Sequence, residues 1–454
     1  MAWMRALAVL VSWLVVSLVG ACAPIDSFQA GLCERALLAL VPAEAPVAIL
    51  DRASFSTADG GAGLRLTYQL GSGESTGALT CLFAGQGLDA NRLELRAVVD
   101  EGRGPLSAAR LHMLKRFWLD RPEAGAERTA RLADGALAVV AEIPIDLAYF
   151  LQQTLNALPV IALYGLLAAS YTLIYALGRT ILLVFGELAM IGAMACFAGV
   201  ALFSGLGGLG TAGVVGGAVV FALLASAVHG DALRRLVLQP AAGRTPLALL
   251  VASFALAIVV QDYVRLSQDA GDRLLPTLPG RTHVLARAGE FVVAVTDFQL
   301  VLVGGAGIVL GALVWGMGRG RFGRCWRAMA EDPQMATLCG VSKTRLWAIC
   351  FALAATLAGL AGVVVLLRFG LANAFMGAML GFKALTAAVV GGIGRIQGAI
   401  LGAVVIGGLE TYWAAYFDMA WRDVAVFALL AAALVLRPQG LVGLAERPDR
   451  VLRP

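Results

Sequence analysis

The segment LPVIALYGLLAASYTLIYAL, residues 158–177, contains no charged side chain. About 20 consecutive apolar residues cross the hydrocarbon core of a bilayer as an α-helix, so this stretch predicts a membrane-spanning helix. The whole chain shares that character, since 59% of its 454 residues are hydrophobic, 14% are charged and the mean hydropathy is +0.82. Soluble domains carry about 25% charged residues. The composition therefore predicts a polytopic membrane protein and excludes a soluble globule.

Further apolar segments follow along the chain, and their lengths predict an all-α membrane domain with about eight or nine transmembrane helices. The segment 375–393 is short for a span and is predicted to be broken or re-entrant. The candidate spans are 158–177, 180–203, 209–229, 246–265, 296–317, 346–367, 375–393, 397–417 and 424–436.

The first residues resemble an export signal. Arg5 is followed by an apolar run over 6–21, and Val19-Gly20-Ala21-Cys22 resembles a lipobox, whose cysteine would be acylated after cleavage. The run is shorter than a comfortable span. Cleavage, lipidation at Cys22 and an uncleaved anchor all remain open for residues 1–22.

Residues 23–145 have frequent charges and short apolar runs. The sequence L-R-L-T-Y-Q-L at 64–70 alternates with period two, which is typical of a half-buried strand. Further strands are expected near 78–84 and 92–99, and helices over 28–40 and 107–119. The segment is therefore predicted to be a small exported α+β domain. The domain plan is completed by a transmembrane domain over 146–445 and a cytoplasmic tail over 446–454.

Two cysteines of this domain, Cys33 and Cys81, fall on a predicted helix and a predicted strand. Packing of one element on the other would bring the two Cα atoms within reach of a disulfide. The alternative is two buried free thiols. We predict the disulfide, because an exported domain lies in an oxidising compartment.

Basic residues predict the orientation of the chain. The loop 319–345 carries six arginines and lysines, and the C-terminal tail carries more. Cytoplasmic loops are enriched in such residues, which places the N-terminal domain outside and the C-terminus inside. The loop 266–290 holds Arg273, Arg281 and Arg287 on the outer side and fits this rule less well.

Three ionisable residues interrupt the apolar spans: Glu187, Lys383 and Glu410. A charge at the centre of a bilayer costs about 2.5–3.5 kcal/mol on insertion scales, so it normally faces a cavity or a partner. Glu187 and Lys383 are predicted to face the interior and to pair, whereas Glu410 lies nearer the outer interface. The alternative is a purely structural pair, or side chains that extend to the interface.

The loop 328–340 contains Glu331, Asp332, Pro333, Ala336 and Gly340. Acidic residues and proline are favoured at the start of a helix, and glycine at its end. The pattern predicts a short amphipathic helix between two spans on the cytoplasmic side, with an ordinary connector as the alternative.

This loop resembles the cytoplasmic coupling loop of ABC importer permeases. The resemblance is most specific to the permease family of branched-chain amino acid importers and covers roughly residues 155–445. Two features differ from that family, namely Phe185 where His is common and the exported domain. The blocks that carry the resemblance are YTLIY at 171–175 leading into FGE at 185–187, GRCWRA at 323–328, FKALTAAVVGGIG at 382–394, and RPQGLVG at 437–443.

The resemblance implies a subunit of the bacterial inner membrane that forms a translocation pathway within lipid. Its implied partners are a second permease subunit, two cytoplasmic ATPase subunits and a periplasmic substrate-binding protein. ATP would be hydrolysed by the partner subunits, since this chain contains no GxxxxGK[ST] motif. Glu331, Asp332, Pro333, Ala336 and Gly340 would then form the ATPase coupling loop.

Other functional classes are disfavoured by the composition. The seven cysteines form no CxxC pair and the three histidines are scattered, so no metal site, bound cofactor or catalytic group is expected. The basic clusters lack interleaved aromatic residues, so nucleic-acid binding is not expected. The alternatives left open are a urea or amide ABC permease and a secondary transporter that uses Glu187 and Lys383.

Overall fold

The computed structural model describes residues 26–41, 47–57, 61–70, 76–86, 89, 91–119, 141–205, 211–241, 245–268, 271–275, 282–289 and 291–442. Their contacts form two units. The N-terminal unit combines the described residues of Gly20–Gln152 with those of Pro276–Leu300, and the helical unit combines Gln153–Leu275 with the chain from Val301 onward. The predicted signal segment with Cys22, and the tail over 446–454, lie outside the described residues.

The N-terminal unit contains an antiparallel sheet of five strands in sequence order. Leu64, Leu66 and Tyr68 are buried and alternate with more exposed residues, as the period-two pattern predicts. The strands are β1 (Val47–Ser56), β2 (Ala62–Leu70), β3 (Thr76–Phe83), β4 (Leu95–Asp100) and β5 (Gly104–Pro105). The helices are α1 (Ser27–Leu40) and α2 (Ala108–Leu114), the latter continued by a π-helical turn over Lys115–Leu119.

A disulfide joins α1 to this sheet. Cys33 on α1 and Cys81 on β3 have Cα atoms 5.9 Å apart and are fully buried. This is the pairing predicted from the sequence. A cross-link over 48 residues lowers the entropy of the unfolded chain and stabilises a small domain by about 4 kcal/mol in the chain-entropy account.

Two features of the N-terminal unit were not predicted. β1 is a ten-residue strand in a stretch without regular alternation. The segment treated as a plain outer loop forms β8 (Thr282–Ala288) and β9 (Phe291–Thr296), and β6 (Ala141–Glu142) pairs in parallel with β8. The N-terminal unit is therefore not confined to the predicted range 23–145. Local patterns carry little information on a pairing between strands about 140 residues apart, since only tertiary contact brings them together.

The helical unit confirms the membrane prediction. Eight of the described helices are long and apolar enough to cross a membrane. A further helix, α11, has 16 residues and is an unbroken short helix between the left-handed glycines Gly370 and Gly392. The helices are α3 (Ile145–Gly178), α4 (Phe185–Gly205), α5 (Thr211–Leu233, extended by a π turn over Arg234–Leu238), α6 (Pro246–Gln268), α7 (Asp297–Arg319), α8 (Arg321–Glu331), α9 (Pro333–Leu338), α10 (Lys343–Phe369), α11 (Met376–Gly391), α12 (Ile396–Tyr416) and α13 (Arg422–Leu436). The short strands β7 (Arg273–Leu274) and β10 (Leu371–Ala372) pair with each other.

The start of α4 lies inside the helical unit. The non-helical segment that precedes it is buried at Leu182 and Val184, and the Leu183 amide donates to the hydroxyl of Ser253 at 3.2 Å. Phe185, the first residue of α4, is fully buried and contacts the rings of Tyr171 and Phe351. The N-terminal turn of α4 is thereby held among other helices.

Candidate functional site

A cluster of charges surrounds Lys383 on α11. Its ammonium group lies 2.7 Å from a carboxylate oxygen of Glu410 on α12 and 2.7 Å from one of Asp423 on α13. Lys383 and Glu410 are 5% and 8% exposed. Ion pairs that are removed from solvent are weakly screened, so the Lys383–Glu410 contact holds α11 to α12, whereas Asp423 is partly exposed and its contact with Lys383 is weaker.

Two further side chains complete this cluster. Arg422 lies 3.4 Å from both Glu410 and Asp423, and the hydroxyl of Tyr164 on α3 donates to Glu410. Two cations and two carboxylates balance, so the cluster carries no net formal charge. Balanced charge and direct hydrogen bonds are what allow ionisable groups to remain inside an apolar unit. We call Lys383, Glu410, Arg422, Asp423 and Tyr164 the lysine cluster.

The predicted pairing of Glu187 with Lys383 is wrong. Lys383 forms ion pairs with Glu410 and Asp423 instead. The Oε2 atom of Glu187 has no hydrogen-bond partner among the described residues. The physical reason lies in the helical repeat of α11. Glu187 faces Gly377 and Lys383 is six residues further along, about 240° around the helix at 100° per residue.

Glu187 is buried where two helix N-termini meet. It is the third residue of α4 and is 2% exposed, and a methyl group built on Gly377, the second residue of α11, would lie 2.4 Å from its Oε2 atom. A methyl group on Gly186 would lie 2.2 Å from the Gly377 carbonyl oxygen. The two helices therefore contact each other through backbone at Gly186, where glycine is required, whereas Gly377 faces the side chain of Glu187.

Tyr171 lies on the same side of α11. A methyl group built on Gly381 would lie 3.0 Å from its hydroxyl oxygen. Tyr171 is 3% exposed, lies within electrostatic range of Glu187 and beside the backbone of Gly186, and its hydroxyl makes no hydrogen bond of normal geometry among the described residues. We call Glu187 and Tyr171 the open polar pair.

Sequence reasoning missed Tyr164, Tyr171, Arg422 and Asp423. The two tyrosines lie in an apolar span and look like ordinary packing residues. The Arg422-Asp423 pair stands directly before the predicted span 424–436, and adjacent opposite charges at the edge of a span were the available signal.

The segment between α7 and α10 folds into two helices instead of the one predicted. α8 buries Gly323, Trp326 and Met329 at intervals of three and exposes its arginines. The indole of Trp326 donates to the carbonyl of Leu173 at 3.0 Å, which fixes α8 against α3. α8 is therefore a packed part of the helical unit.

α9 is the more exposed of the two helices. Asp332 caps it by accepting hydrogen bonds from the amides of Gln334 and Met335 at 2.9 and 3.0 Å, and Pro333 is its first residue. Glu331 ends α8, so the prediction that both acidic residues begin one helix is wrong for Glu331. Ala336 is buried, and Gly340 follows with a φ of +88°, which suits glycine. Met335 and Leu338 are exposed.

The helices and the two groups of buried polar residues define a multi-pass membrane protein. The family described as branched-chain amino acid transport system / permease component matches residues 153–434. The chain therefore belongs to this permease family, and it is a transmembrane permease subunit.

Individual relatives agree with the family match. The high-affinity branched-chain amino acid transport system permease protein BraD of Pseudomonas aeruginosa is 32% identical over 304 residues, which are 67% of this chain and 98% of BraD. The corresponding protein LivH is 34% identical over 302 residues in Escherichia coli K12 and 33% over 301 residues in Salmonella typhimurium, in each case 66% of this chain and 97% of LivH. No solved structure matches the chain. The first 152 residues lie outside the family match.

Proposed function

We propose that the chain forms the translocation pathway of an ATP-driven importer of branched-chain amino acids. It would act with a second permease subunit, two cytoplasmic ATPase subunits and a periplasmic substrate-binding protein. The family match and the names of the relatives support the substrate class. The observation that carries the coupling role is α9, a capped helix with exposed apolar side chains between two long spans.

Coupling would pass from the ATPase through α9 to the spans. Leu338 is 83% exposed and Met335 is 60% exposed, and aliphatic side chains of this kind act as anchors when a partner buries them. Trp326 holds α8 against α3. Because α8 is packed in this way, a displacement of α9 would be transmitted through α8 to the membrane-spanning helices. ATP would be bound and hydrolysed by the partner subunits.

The test is uptake of leucine by the reconstituted complex. Leu338→Ser is expected to lower uptake and ATP hydrolysis stimulated by the binding protein about tenfold, since loss of one anchor costs about 1–2 kcal/mol of binding. Leu266→Ser is the matched control, because Leu266 is 82% exposed at the end of α6. Uptake by the chain without ATPase subunits would instead indicate a secondary transporter.

A second test changes the charge of the coupling loop at Glu331 and Asp332. Glu331→Lys with Asp332→Lys is expected to uncouple transport, but it also removes the cap of α9, worth about 1 kcal/mol. Asp332→Asn retains a capping side chain and removes the charge. Uncoupling by the double lysine variant and not by Asp332→Asn would assign the effect to helix geometry, and normal uptake in both would contradict the coupling assignment.

We propose that the N-terminal unit faces the periplasm and the C-terminus the cytoplasm. The buried Cys33–Cys81 disulfide fits an oxidising compartment, and the arginines of α8 fit a cytoplasmic surface. Thiol labelling of intact spheroplasts tests this orientation. Cys33 and Cys81 should label from outside after reduction, and Cys339, which is exposed beside α9, should label after the membrane is made permeable. Labelling of Cys339 in intact spheroplasts would reverse the orientation.

A further inference from the structure

The open polar pair is unusual among the buried charges of the helical unit. The lysine cluster satisfies its carboxylates with cations, whereas Oε2 of Glu187 receives no hydrogen bond from any described residue. A buried carboxylate without a partner costs several kcal/mol. Such a group persists where a ligand supplies the missing contact during the working cycle.

Burial disfavours the ionised form of Glu187, and two helix N-termini offset part of that cost. It lies in the first turn of α4 and against the first turn of α11, and each helix N-terminus carries roughly half a positive elementary charge. The side chain of Phe375, the N-cap residue of α11, makes no capping hydrogen bond to a described residue, and the Asn373 carboxamide oxygen accepts from the Phe375 amide at 3.0 Å. The helix dipoles stabilise a carboxylate in this position while Oε2 stays available as an acceptor.

A cationic donor would supply the missing hydrogen bond and would also stabilise the ionised form of Glu187. An ionised carboxylate only accepts hydrogen bonds, and the phenolic oxygen of Tyr171 can accept one as well. A primary ammonium group has three donors and can reach two acceptors at once. Lys383 is the one cationic side chain on α11, and it already contacts Glu410 and Asp423. The ligand that fits therefore brings its own ammonium group.

A ligand could reach Glu187 and Tyr171 between α4 and α11. The two backbones are in close contact at Gly186, whereas Gly377 faces the side chain of Glu187 and Gly381 faces the hydroxyl of Tyr171. Helices that pack through small residues can separate or slide as rigid bodies, because no side chain has to leave a hole on the facing helix. Separation of α4 from α11 would expose Glu187 and Tyr171 together. Discontinuous helices with termini inside the membrane are typical of transporter binding sites.

We propose that Glu187 and Tyr171 form a subsite that receives the ammonium group of the transported amino acid when α4 and α11 separate. The proposal rests on the proposed function for its substrate class and adds the residues that recognise one end of that substrate. This subsite does not bind the aliphatic side chain of the substrate, which would be bound by other residues.

The purified full-length chain in lipid nanodiscs tests the subsite by thermal unfolding with three probes. Leucine and 3-methylbutan-1-amine carry the ammonium group, and 4-methylpentanoate carries the carboxylate alone. The first two should raise the unfolding midpoint in a concentration-dependent way, since a ligand that binds the folded state stabilises it. A shift by 4-methylpentanoate equal to that of the amine would overturn the proposal.

Variants then locate the binding. Glu187→Gln should abolish the amine-induced shift, and Tyr171→Phe should weaken amine binding about tenfold, the size expected for one hydrogen bond to a charged group. Glu187→Asp, which keeps the charge, should retain part of the shift. Tyr175→Phe, one turn further along α3, is the control and should retain all of it. An unchanged amine shift in Glu187→Gln would overturn the proposal, and unfolding without ligand shows whether each variant folds.

Uptake by the reconstituted complex separates this subsite from the proposed function. Glu187→Gln should reduce the maximal rate of leucine uptake about tenfold and leave the KM for external leucine unchanged, because the binding protein sets that KM. Failure of all probes to bind a chain that supports ATP-driven uptake would reject the subsite and keep the function. Binding of the amine without any ATP-driven uptake would reject the function and keep the subsite.

Discussion

The two sides of α11 handle buried charge in opposite ways. On one side Lys383 contacts two carboxylates, each at 2.7 Å, and the lysine cluster is neutral as a whole. On the other side Gly377 and Gly381 face the open polar pair, whose Oε2 and hydroxyl atoms have no hydrogen-bond partner among the described residues. The first arrangement fixes α11 to α12. The second leaves a polar surface against α4 that can respond to a ligand.

This difference indicates how one short helix can be both anchored and movable. Ion pairs in a weakly screened setting hold one side, since breaking them leaves uncompensated charges. Glycines bring α11 close to both neighbours, to α4 at Gly186 and to α12 at Gly391 and Gly402, and the α12 side adds the Lys383–Glu410 ion pair. Separation of α12 from α11 would therefore break an ion pair, whereas separation of α4 from α11 would break none among the described residues.

The largest effect is expected from breaking the lysine cluster. Lys383→Met leaves Glu410 and Asp423 without their shared cation, and loss of one partner of a buried pair costs about 3–5 kcal/mol. The unfolding midpoint of the purified chain in detergent should fall accordingly. Lys383→Met combined with Glu410→Gln should lose less than the sum of the two single variants. Fully additive losses would contradict a coupled cluster.

An intermediate effect is expected from filling the glycine side. Gly186→Ala places a methyl group 2.2 Å from the carbonyl oxygen of Gly377 and 2.8 Å from the Cα atom of Gly381, and overpacking of this kind costs about 1–3 kcal/mol. Gly304→Ala is the matched control, because a methyl group there meets nothing within 4 Å and alanine favours the helix by about 0.5–1 kcal/mol. Thermal unfolding of both variants checks the prediction. Equal stability of the two would show that α4 and α11 are not in close contact.

The smallest effect on stability is expected at Glu187 itself. Glu187→Gln replaces a buried carboxyl group, whose Oε2 makes no hydrogen bond among the described residues, by a neutral amide, so the free energy of unfolding should stay the same or rise. Glu410→Gln removes ion pairs and should cost about 1.5–3 kcal/mol. A larger loss at Glu187 than at Glu410 would reverse the comparison and make the open polar pair a structural element.

Much of the fold could be predicted from local patterns. The apolar runs locate the spans, since about 20 residues of α-helix are needed to cross a bilayer. The alternation at 64–70 locates β2, and Ser107 caps α2 at the predicted start by accepting from the Arg110 amide. Features that depend on distant contacts were missed. The clearest case is the sheet of β6, β8 and β9, because strand pairing over a long sequence separation leaves little local trace.

The candidate site shows the same division. The sequence identified Glu187, Lys383 and Glu410 as buried ionisable groups, because a charge inside an apolar run is conspicuous whatever its partner. It gave Lys383 the wrong partner, because pairing depends on which side of α11 faces which helix. Tyr164 and Tyr171 were missed, since a hydroxyl in an apolar span acquires a role only through what lies beside it.

The sequence by itself determined the class of environment, the approximate positions of the membrane spans, the two cysteines that pair and the permease family. These follow from the free energy of transfer to lipid, from local periodicity and from motifs of neighbouring residues. The tertiary structure decided which charges are satisfied and which carboxylate oxygen is left open. Those outcomes depend on the rotation and close approach of whole helices, where two glycines allow α4 and α11 to meet at Glu187 while Lys383 turns toward Glu410 and Asp423.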